Sequence, residues 1–99
     1  MELNKLISKV DNFIQSHGGY WDTAWLLAAI TEELGELSRS LQMFAGVRKI
    51  SPQKYEKSMN LLIEEECGDL FFAMVCLTNS LGINLERALL NTLIKYESR

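Results

Sequence analysis

The sequence predicts an all-α protein, a four-helix domain that assembles into an oligomeric helical bundle. Apolar residues recur at helical spacing along most of the 99 residues, and no stretch alternates as a β-strand would. Six glycines and a single proline leave few interruptions, which favours long helices. A chain of this length forms one domain, which we expect to span residues 1–99.

Start and stop signals divide the chain into four helices. The predicted helices run from residue 2 to about 16, from 22 to about 44, from 51 to about 80, and from 84 to about 97. His17-Gly18-Gly19 ends the first helix, because glycine favours the left-handed turn that follows a helix. Asp22 and Asn84 are N-cap residues for the second and fourth helices. Ser51-Pro52 begins the third helix, since proline suits a first helical position, and Gly82 follows its end.

The apolar faces of the two long helices predict what they pack against. A stripe on the second helix should be buried, and it consists of Leu26, Leu27, Ile30, Leu34, Leu37, Leu41 and Phe44. The third helix is apolar on nearly every side from Leu70 to Leu77. A small four-helix monomer cannot cover such a helix, so we expect a partner copy to do so. The sequence therefore predicts a homo-oligomer, either a dimer or a tetramer.

Two pairs of carboxylates mark the candidate site. Glu33 and Glu36 on the second helix, and Glu66 and Asp69 on the third, are each three residues apart. Such pairs share one helix face, roughly 4.5 Å apart along the axis, and their like charges repel. If the helices lie side by side, four carboxylates form an oxygen-rich site suited to Mg²⁺ or Mn²⁺. This arrangement requires the first turns after Pro52 to overhang or bend, because the carboxylates are otherwise out of register.

A solvated helix face is the simpler interpretation of these acids. One Glu-x-x-Glu pair is common on protein surfaces, whereas two pairs beside apolar stripes favour a metal site. Each pair has an alanine one turn away, Ala29 or Ala73, that leaves room for a ligand. The neighbouring Glu32, Glu64 and Glu65 are expected to face solvent.

Composition disfavours several other classes of function. A net charge of −3 argues against nucleic acid as a partner. His17 is the only histidine, which disfavours both a di-iron carboxylate site and a Ser-His-Asp set. The chain has no glycine-rich phosphate loop, so phosphates would have to bind through a metal.

The cellular compartment follows from the cysteines and from hydropathy. Cys67 and Cys76 lie too far apart on one helix to pair, and we expect buried thiols in a reducing environment. The first residues lack the apolar core of a signal peptide, and no apolar run is long enough to span a membrane. We therefore expect a cytoplasmic protein that does not associate with membranes.

The acidic motifs resemble a known family. Glu32-Glu33-Leu34-Gly35-Glu36-Leu37 followed by Glu66-Cys67-Gly68-Asp69 is similar to the paired motifs of the MazG-like nucleotide pyrophosphohydrolases, in the all-α nucleoside triphosphate pyrophosphatase superfamily. The resemblance runs from about Trp21 to Arg99 and includes the basic tail. Tyr96 stands where the family often has asparagine.

The resemblance implies an enzyme that cleaves a nucleoside triphosphate between the α and β phosphates, giving a monophosphate and pyrophosphate. Glu33, Glu36, Glu66 and Asp69 would hold one or two Mg²⁺ ions, with Mn²⁺ as an alternative. A water oriented by Glu36 or Glu33 would attack phosphorus. Within this class, the leading function is the removal of non-standard or surplus triphosphates, a house-cleaning role.

Candidate substrate contacts are less specific. Trp21 and Trp25 precede the first acidic pair and could stack on a base, although tryptophans at helical spacing more often pack in a core or interface. Lys95 and Arg99 could meet the outer phosphates, or simply complement the end of the last helix.

Two alternative functions stay open on the sequence. One is a phosphoribosyl-ATP pyrophosphohydrolase, a relative of similar size. The other is a non-catalytic helical oligomer that acts as an interaction module. If the chain is an interaction module, Mg²⁺ should not stabilise it and Glu36→Gln should have no effect. The two candidate enzymes, the nucleoside triphosphate and the phosphoribosyl-ATP pyrophosphohydrolase, differ in the substrate that they accept.

Overall fold

The computed structural model describes residues 2–46, 49 and 58–99. Within these residues the chain forms four helices and has no strand. The helices are α1 (Leu3–Gln15), α2 (Thr23–Phe44), α3 (Met59–Ser80) and α4 (Leu85–Glu97). The prediction of an all-α, four-helix fold is confirmed. None of the helices in the described ranges combines the length and hydropathy needed to cross a membrane.

Most of the predicted helix ends are confirmed. Gly18 and Gly19 follow α1 with φ values of 101° and 86°, the left-handed region that glycine adopts readily. Asn84 caps α4, because its side-chain oxygen accepts a hydrogen bond of 2.7 Å from the Arg87 N–H. Asp22 occupies the N-cap position of α2, but its side chain makes no capping hydrogen bond.

The beginning of the third helix differs from the prediction. Ser58 has extended backbone, with φ −64° and ψ 151°, and its side chain accepts a hydrogen bond from the Leu61 N–H. The predicted start at Ser51-Pro52 lies outside the described residues. A single continuous helix from Ser51-Pro52 to Ser80 is nevertheless wrong, because the chain is extended at Ser58.

The later start of α3 brings the two acidic motifs into register. Glu36 lies eight residues before the end of α2 at Phe44, and Glu66 lies seven residues after the start of α3 at Met59. In an antiparallel pair of helices these distances, which differ by one residue, place the motifs at nearly the same level along the axes.

The helices α2 and α3 form the centre of the fold, with α1 packed against α3 and α4 contacting mainly α1. Most buried residues belong to α2 and α3, and on α3 they lie both on the side that faces α2 and on the side that faces α1. On α2 they are Leu26, Ser40 and Met43, and on α3 they are Leu62, Glu66, Ala73, Val75, Cys76 and Thr78. The acidic motifs therefore lie on the surfaces through which the two helices meet.

The apolar stripe of α2 is largely uncovered in the single chain. Leu27, Leu34, Leu41 and Phe44 are 57%, 53%, 45% and 58% exposed, and of the stripe only Leu26 is buried. The prediction that the whole stripe is buried is therefore wrong for the single chain. The physical reason is that α2 turns its acidic and small residues toward α3, which leaves the leucines on the outer side.

The two cysteines differ in their surroundings. Cys76 is buried, as predicted, and burial raises the pKa of its thiol. Cys67 is exposed, so the prediction of two buried thiols is wrong for this residue. Because Glu66 faces α2, the next residue along the helix is rotated by roughly 100° and points outward.

Candidate metal centre and adjoining cavity

Three carboxylates from two helices converge at the α2–α3 interface. Glu33 of α2 and Glu66 and Asp69 of α3 each offer an oxygen, and these oxygens all lie within 4.8 Å of one another. Glu66 is only 8% exposed, and Glu33 is half-buried, whereas Asp69 is open to solvent. The helices thus bring together three of the four carboxylates that the sequence singled out.

Electrostatics at this cluster favour a bound cation. The pKa of Glu33 is raised above its ordinary value, first because burial removes water from the carboxylate, and then because Asp69, Glu66, Glu32 and Glu36 repel its charge. A divalent cation would cancel this repulsion. Three carboxylate oxygens form a hard donor set that fits Mg²⁺ or Mn²⁺, which bind oxygen and commonly leave positions for water and phosphate.

Glu36 lies beside the cluster and is not one of its three members. Its Oε1 is 3.6 Å from Nη1 of Arg39, a partly exposed ion pair of the kind that contributes little stability. Its charge still raises the pKa of Glu33 one turn away. It remains a prediction that Glu33 or Glu36 orients a water. It also remains a prediction that all four acids bind a metal.

A largely apolar cavity of about 270 Å³ opens next to the carboxylates. Glu33 and Asp69 line it together with residues from α1, from the turn before α2, and from both central helices. The principal apolar contributors are Ile14, Tyr20, Trp21, Leu26, Phe72 and Ala73. A cavity with an apolar lining and an acidic margin can receive a flat ring system whose charged substituent lies toward the carboxylates.

The predicted substrate contacts separate into two groups. Trp21 lines the cavity, with 67% of its surface exposed, whereas the equally exposed Trp25 is not among the lining residues. Lys95 and Arg99 are both exposed near the end of α4, and each places its cationic group 5.1 Å from the centre of the Tyr96 ring. Neither basic residue lines the cavity. A phosphate contact by Lys95 or Arg99 remains a prediction.

Tyr20 forms part of the cavity wall and was not among the predicted substrate contacts. Its hydroxyl donates a hydrogen bond of 2.7 Å to Oδ1 of Asp11 and accepts one of 3.0 Å from Nδ2 of Asn79. Burial, followed by the hydrogen bond to Asp11, raises the pKa of Tyr20 to about 12, so the phenol stays protonated at neutral pH. Asn79, a polar residue just after the apolar stretch from Leu70 to Leu77, was the available signal for such a partner.

The repulsion at the cluster leads to a prediction for the metal-free protein. The pKa of Glu33 is higher in the folded state than its ordinary value of 4.5. The contribution of Glu33 to the stability of the fold is therefore present at pH values below 4.5. It is lost as the pH rises through the pKa of the folded state. We expect Glu33→Gln to raise Tm at pH 7 in a chelating buffer by about 2 to 4 °C, because it removes a charge that burial and the neighbouring acids both destabilise.

Thermal unfolding at pH 4 and pH 7 checks this prediction. The difference between the variant and the native chain should close at pH 4, where the glutamate is largely protonated. Glu64→Gln is the matched control, because Glu64 is exposed on α3 and does not belong to the cluster. A native chain that is more stable than Glu33→Gln at pH 7 without metal would contradict the repulsion.

Comparison with known proteins places this arrangement in a family. The family model of the MazG nucleotide pyrophosphohydrolase domain matches residues 22–99 of this chain. YpjD of Bacillus subtilis strain 168, an uncharacterized protein, is 40% identical over 93 residues, which are 93% of this chain and 80% of YpjD.

Solved structures agree in fold over nearly the whole chain. The crystal structure of the Bacillus-conserved MazG protein, a nucleotide pyrophosphohydrolase, matches with a TM-score of 0.81 and 32% identity, covering 97% of this chain and 90% of that one. The crystal structure of YpjD from Bacillus subtilis matches with a TM-score of 0.83 and 37% identity, covering 100% and 96%. The chain therefore belongs to the MazG nucleotide pyrophosphohydrolase family and is an enzyme, a hydrolase that acts on nucleotide pyrophosphate bonds.

Proposed function

We propose that this chain is a Mg²⁺-dependent nucleoside triphosphate pyrophosphohydrolase that cleaves between the α and β phosphates and releases a nucleoside monophosphate and pyrophosphate. The observation that carries the proposal is the group of three carboxylate oxygens, within 4.8 Å of one another, beside an apolar cavity of about 270 Å³. The removal of non-standard or surplus triphosphates is the role we propose within this class.

The carboxylates divide into ligands and a residue that orients water. Glu33, Glu66 and Asp69 would hold the ion, which when bound neutralises phosphate charge and polarises the scissile linkage. Glu36 lies one helical turn from Glu33 and outside the three-oxygen group, and we propose that Glu36, or Glu33, orients a water to attack phosphorus. Glu36 could also join the ligands once phosphate oxygens complete the coordination.

The cavity would receive the nucleoside. Its apolar lining suits a base and sugar, with Trp21 offering an exposed ring face on which a base can stack. The margin formed by Glu33 and Asp69 would then lie toward the phosphates, which bind through the cation. In this orientation the α phosphate would lie between the nucleoside cavity and the metal centre.

Assembly into a homo-oligomer, a dimer or a tetramer, is part of the proposal. The exposed leucines of α2 have counterparts on α4, where Leu89, Leu90, Leu93 and Ile94 are 52%, 54%, 49% and 55% exposed. A second copy that packs on these faces would remove apolar surface from water. We also propose the cytoplasm as the compartment, in keeping with the two free thiols.

The test is product release from a panel of ribo- and deoxyribonucleoside triphosphates, with and without Mg²⁺, for the native chain and Glu36→Gln. We expect pyrophosphate and monophosphate from the native chain only with Mg²⁺, and loss of release in the variant. Phosphoribosyl-ATP belongs in the panel, because exclusive cleavage of it would indicate the related enzyme. No cleavage of any substrate, together with no stabilisation by Mg²⁺, would contradict the proposed function and favour an interaction module.

A further inference from the structure

The hydroxyl of Tyr20 connects two helices that are far apart in the sequence. It donates to Oδ1 of Asp11 on α1 at 2.7 Å and accepts from Nδ2 of Asn79 on α3 at 3.0 Å. The same Nδ2 also lies 3.4 Å from the backbone oxygen of Ile7. Two hydrogen bonds therefore join the turn before α2 to α1 and α3, and a third joins α3 directly to α1.

The position of Tyr20 in the chain makes this connection important for the cavity. Tyr20 follows Gly18 and Gly19, whose positive φ values reverse the chain after α1. Tyr20 and Trp21 belong to neither α1 nor α2, so helical hydrogen bonding does not fix them. Side-chain bonds that hold Tyr20 must then also limit the movement of its neighbour Trp21.

Tyr20 and Trp21 both line the cavity that ends at Glu33 and Asp69. The Tyr20 ring is half-buried, while its hydroxyl is already hydrogen-bonded to Asp11 and Asn79. The ring can therefore shape the cavity while the hydroxyl serves as its anchor. A partly buried polar set joined by hydrogen bonds in this way holds one geometry more firmly than apolar packing alone.

We propose that Tyr20 is a positioning residue, held by Asp11 and Asn79, that fixes the cavity wall and places the Trp21 ring where a nucleoside binds. This inference rests on the proposed function and adds a determinant of substrate affinity to it. Tyr20 acts through the wall and through Trp21, and it takes no part in the bond-breaking step. Its removal should weaken binding of the substrate and leave turnover of the bound substrate nearly unchanged.

The variant Tyr20→Phe tests the role of the hydroxyl in pyrophosphate-release assays, because it keeps the ring. We expect KM for the best triphosphate to rise about threefold to tenfold. This factor corresponds to the net free energy of one hydrogen bond. The value of kcat should stay within about twofold of native. Asp11→Asn retains an oxygen acceptor and should keep the native KM, whereas Asp11→Ala should match Tyr20→Phe.

Asn4→Ala is the matched control for a general loosening of the fold. It removes a hydrogen bond of 3.0 Å from Nδ2 of Asn84 to Oδ1 of Asn4, which ties α1 to the start of α4. Neither asparagine lines the cavity, so KM should stay native. An equal rise of KM in Asn4→Ala and Tyr20→Phe would overturn the positioning role.

A fluorescence measurement separates this inference from the proposed function. Trp25→Phe leaves Trp21 as the single tryptophan of the chain, and its anisotropy should fall when Tyr20→Phe is added. The readout needs no substrate, so it still decides the role of Tyr20 if the native chain hydrolyses no triphosphate and the proposed function fails. Unchanged anisotropy, or an active variant with native KM, would overturn the inference.

Discussion

Glu66→Gln is expected to abolish triphosphate hydrolysis, with a loss in kcat/KM of more than about 100-fold, since changes to residues that merely support metal ligands already cost 10- to 100-fold. Glu66 is 8% exposed and contributes one of the three converging carboxylate oxygens. The substitution keeps the size of the side chain and removes its charge. The variant should also lose the Mg²⁺-dependent rise in Tm that ligand binding gives the native chain.

Glu32→Gln is the matched control for this experiment. It makes the same chemical change on an exposed residue next to Glu33 that is not a member of the three-oxygen group. We expect activity close to native and an unchanged response to Mg²⁺, measured by pyrophosphate release and thermal unfolding. If Glu66→Gln kept more than about a tenth of native kcat/KM, an essential role for this carboxylate in metal binding would be refuted.

Leu34→Glu is expected to convert the proposed homo-oligomer into a smaller species. Leu27, Leu34 and Leu41 recur every seven residues on the outer side of α2, the repeat by which helices pack in pairs. These leucines are 57%, 53% and 45% exposed in the single chain, and an interface with a second copy would remove their apolar surface from water. A buried glutamate at the centre of that interface would be too costly to desolvate.

Sedimentation of the native chain and two variants measures this effect. The native mass should be a multiple of 11.3 kDa, and Leu34→Glu should lower it. Ala28→Glu adds the same charge to an exposed residue on a different side of α2, about 120° away, and should keep the native mass. A native chain that sediments as a monomer at micromolar concentration would refute the proposed assembly.

Local signals were sufficient to predict the helices and most of their ends. Asn84 caps α4, and the glycines after α1 adopt the left-handed conformation. The third helix is the exception, because Ser51-Pro52 and Ser58 both carry start signals, and a local pattern does not show which one a helix uses. The register between the acidic motifs was the better guide, since it required the first turns after Pro52 either to overhang the end of the second helix or to bend.

Periodicity showed which faces are apolar but could not show what covers them. The leucine stripe of α2 is the strongest apolar pattern on that helix, yet α3 packs against the side that carries Glu33 and Ser40. The paired carboxylates were predictable from spacing, because residues three apart share a helix face. The cavity was not, because Ile14, Tyr20 and Phe72 meet only through the tertiary arrangement of three chain segments.

The most direct test of the metal centre is anomalous diffraction from crystals of the native chain grown with Mn²⁺. We predict a strong anomalous peak within bonding distance of the carboxylates of Glu33, Glu66 and Asp69, about 2.0 to 2.3 Å from their oxygens. The same map would show whether Glu36 joins these ligands. If the cluster stayed empty at saturating Mn²⁺, or if anomalous peaks appeared only at other places in the protein, the proposed metal-dependent hydrolysis at this site would be contradicted.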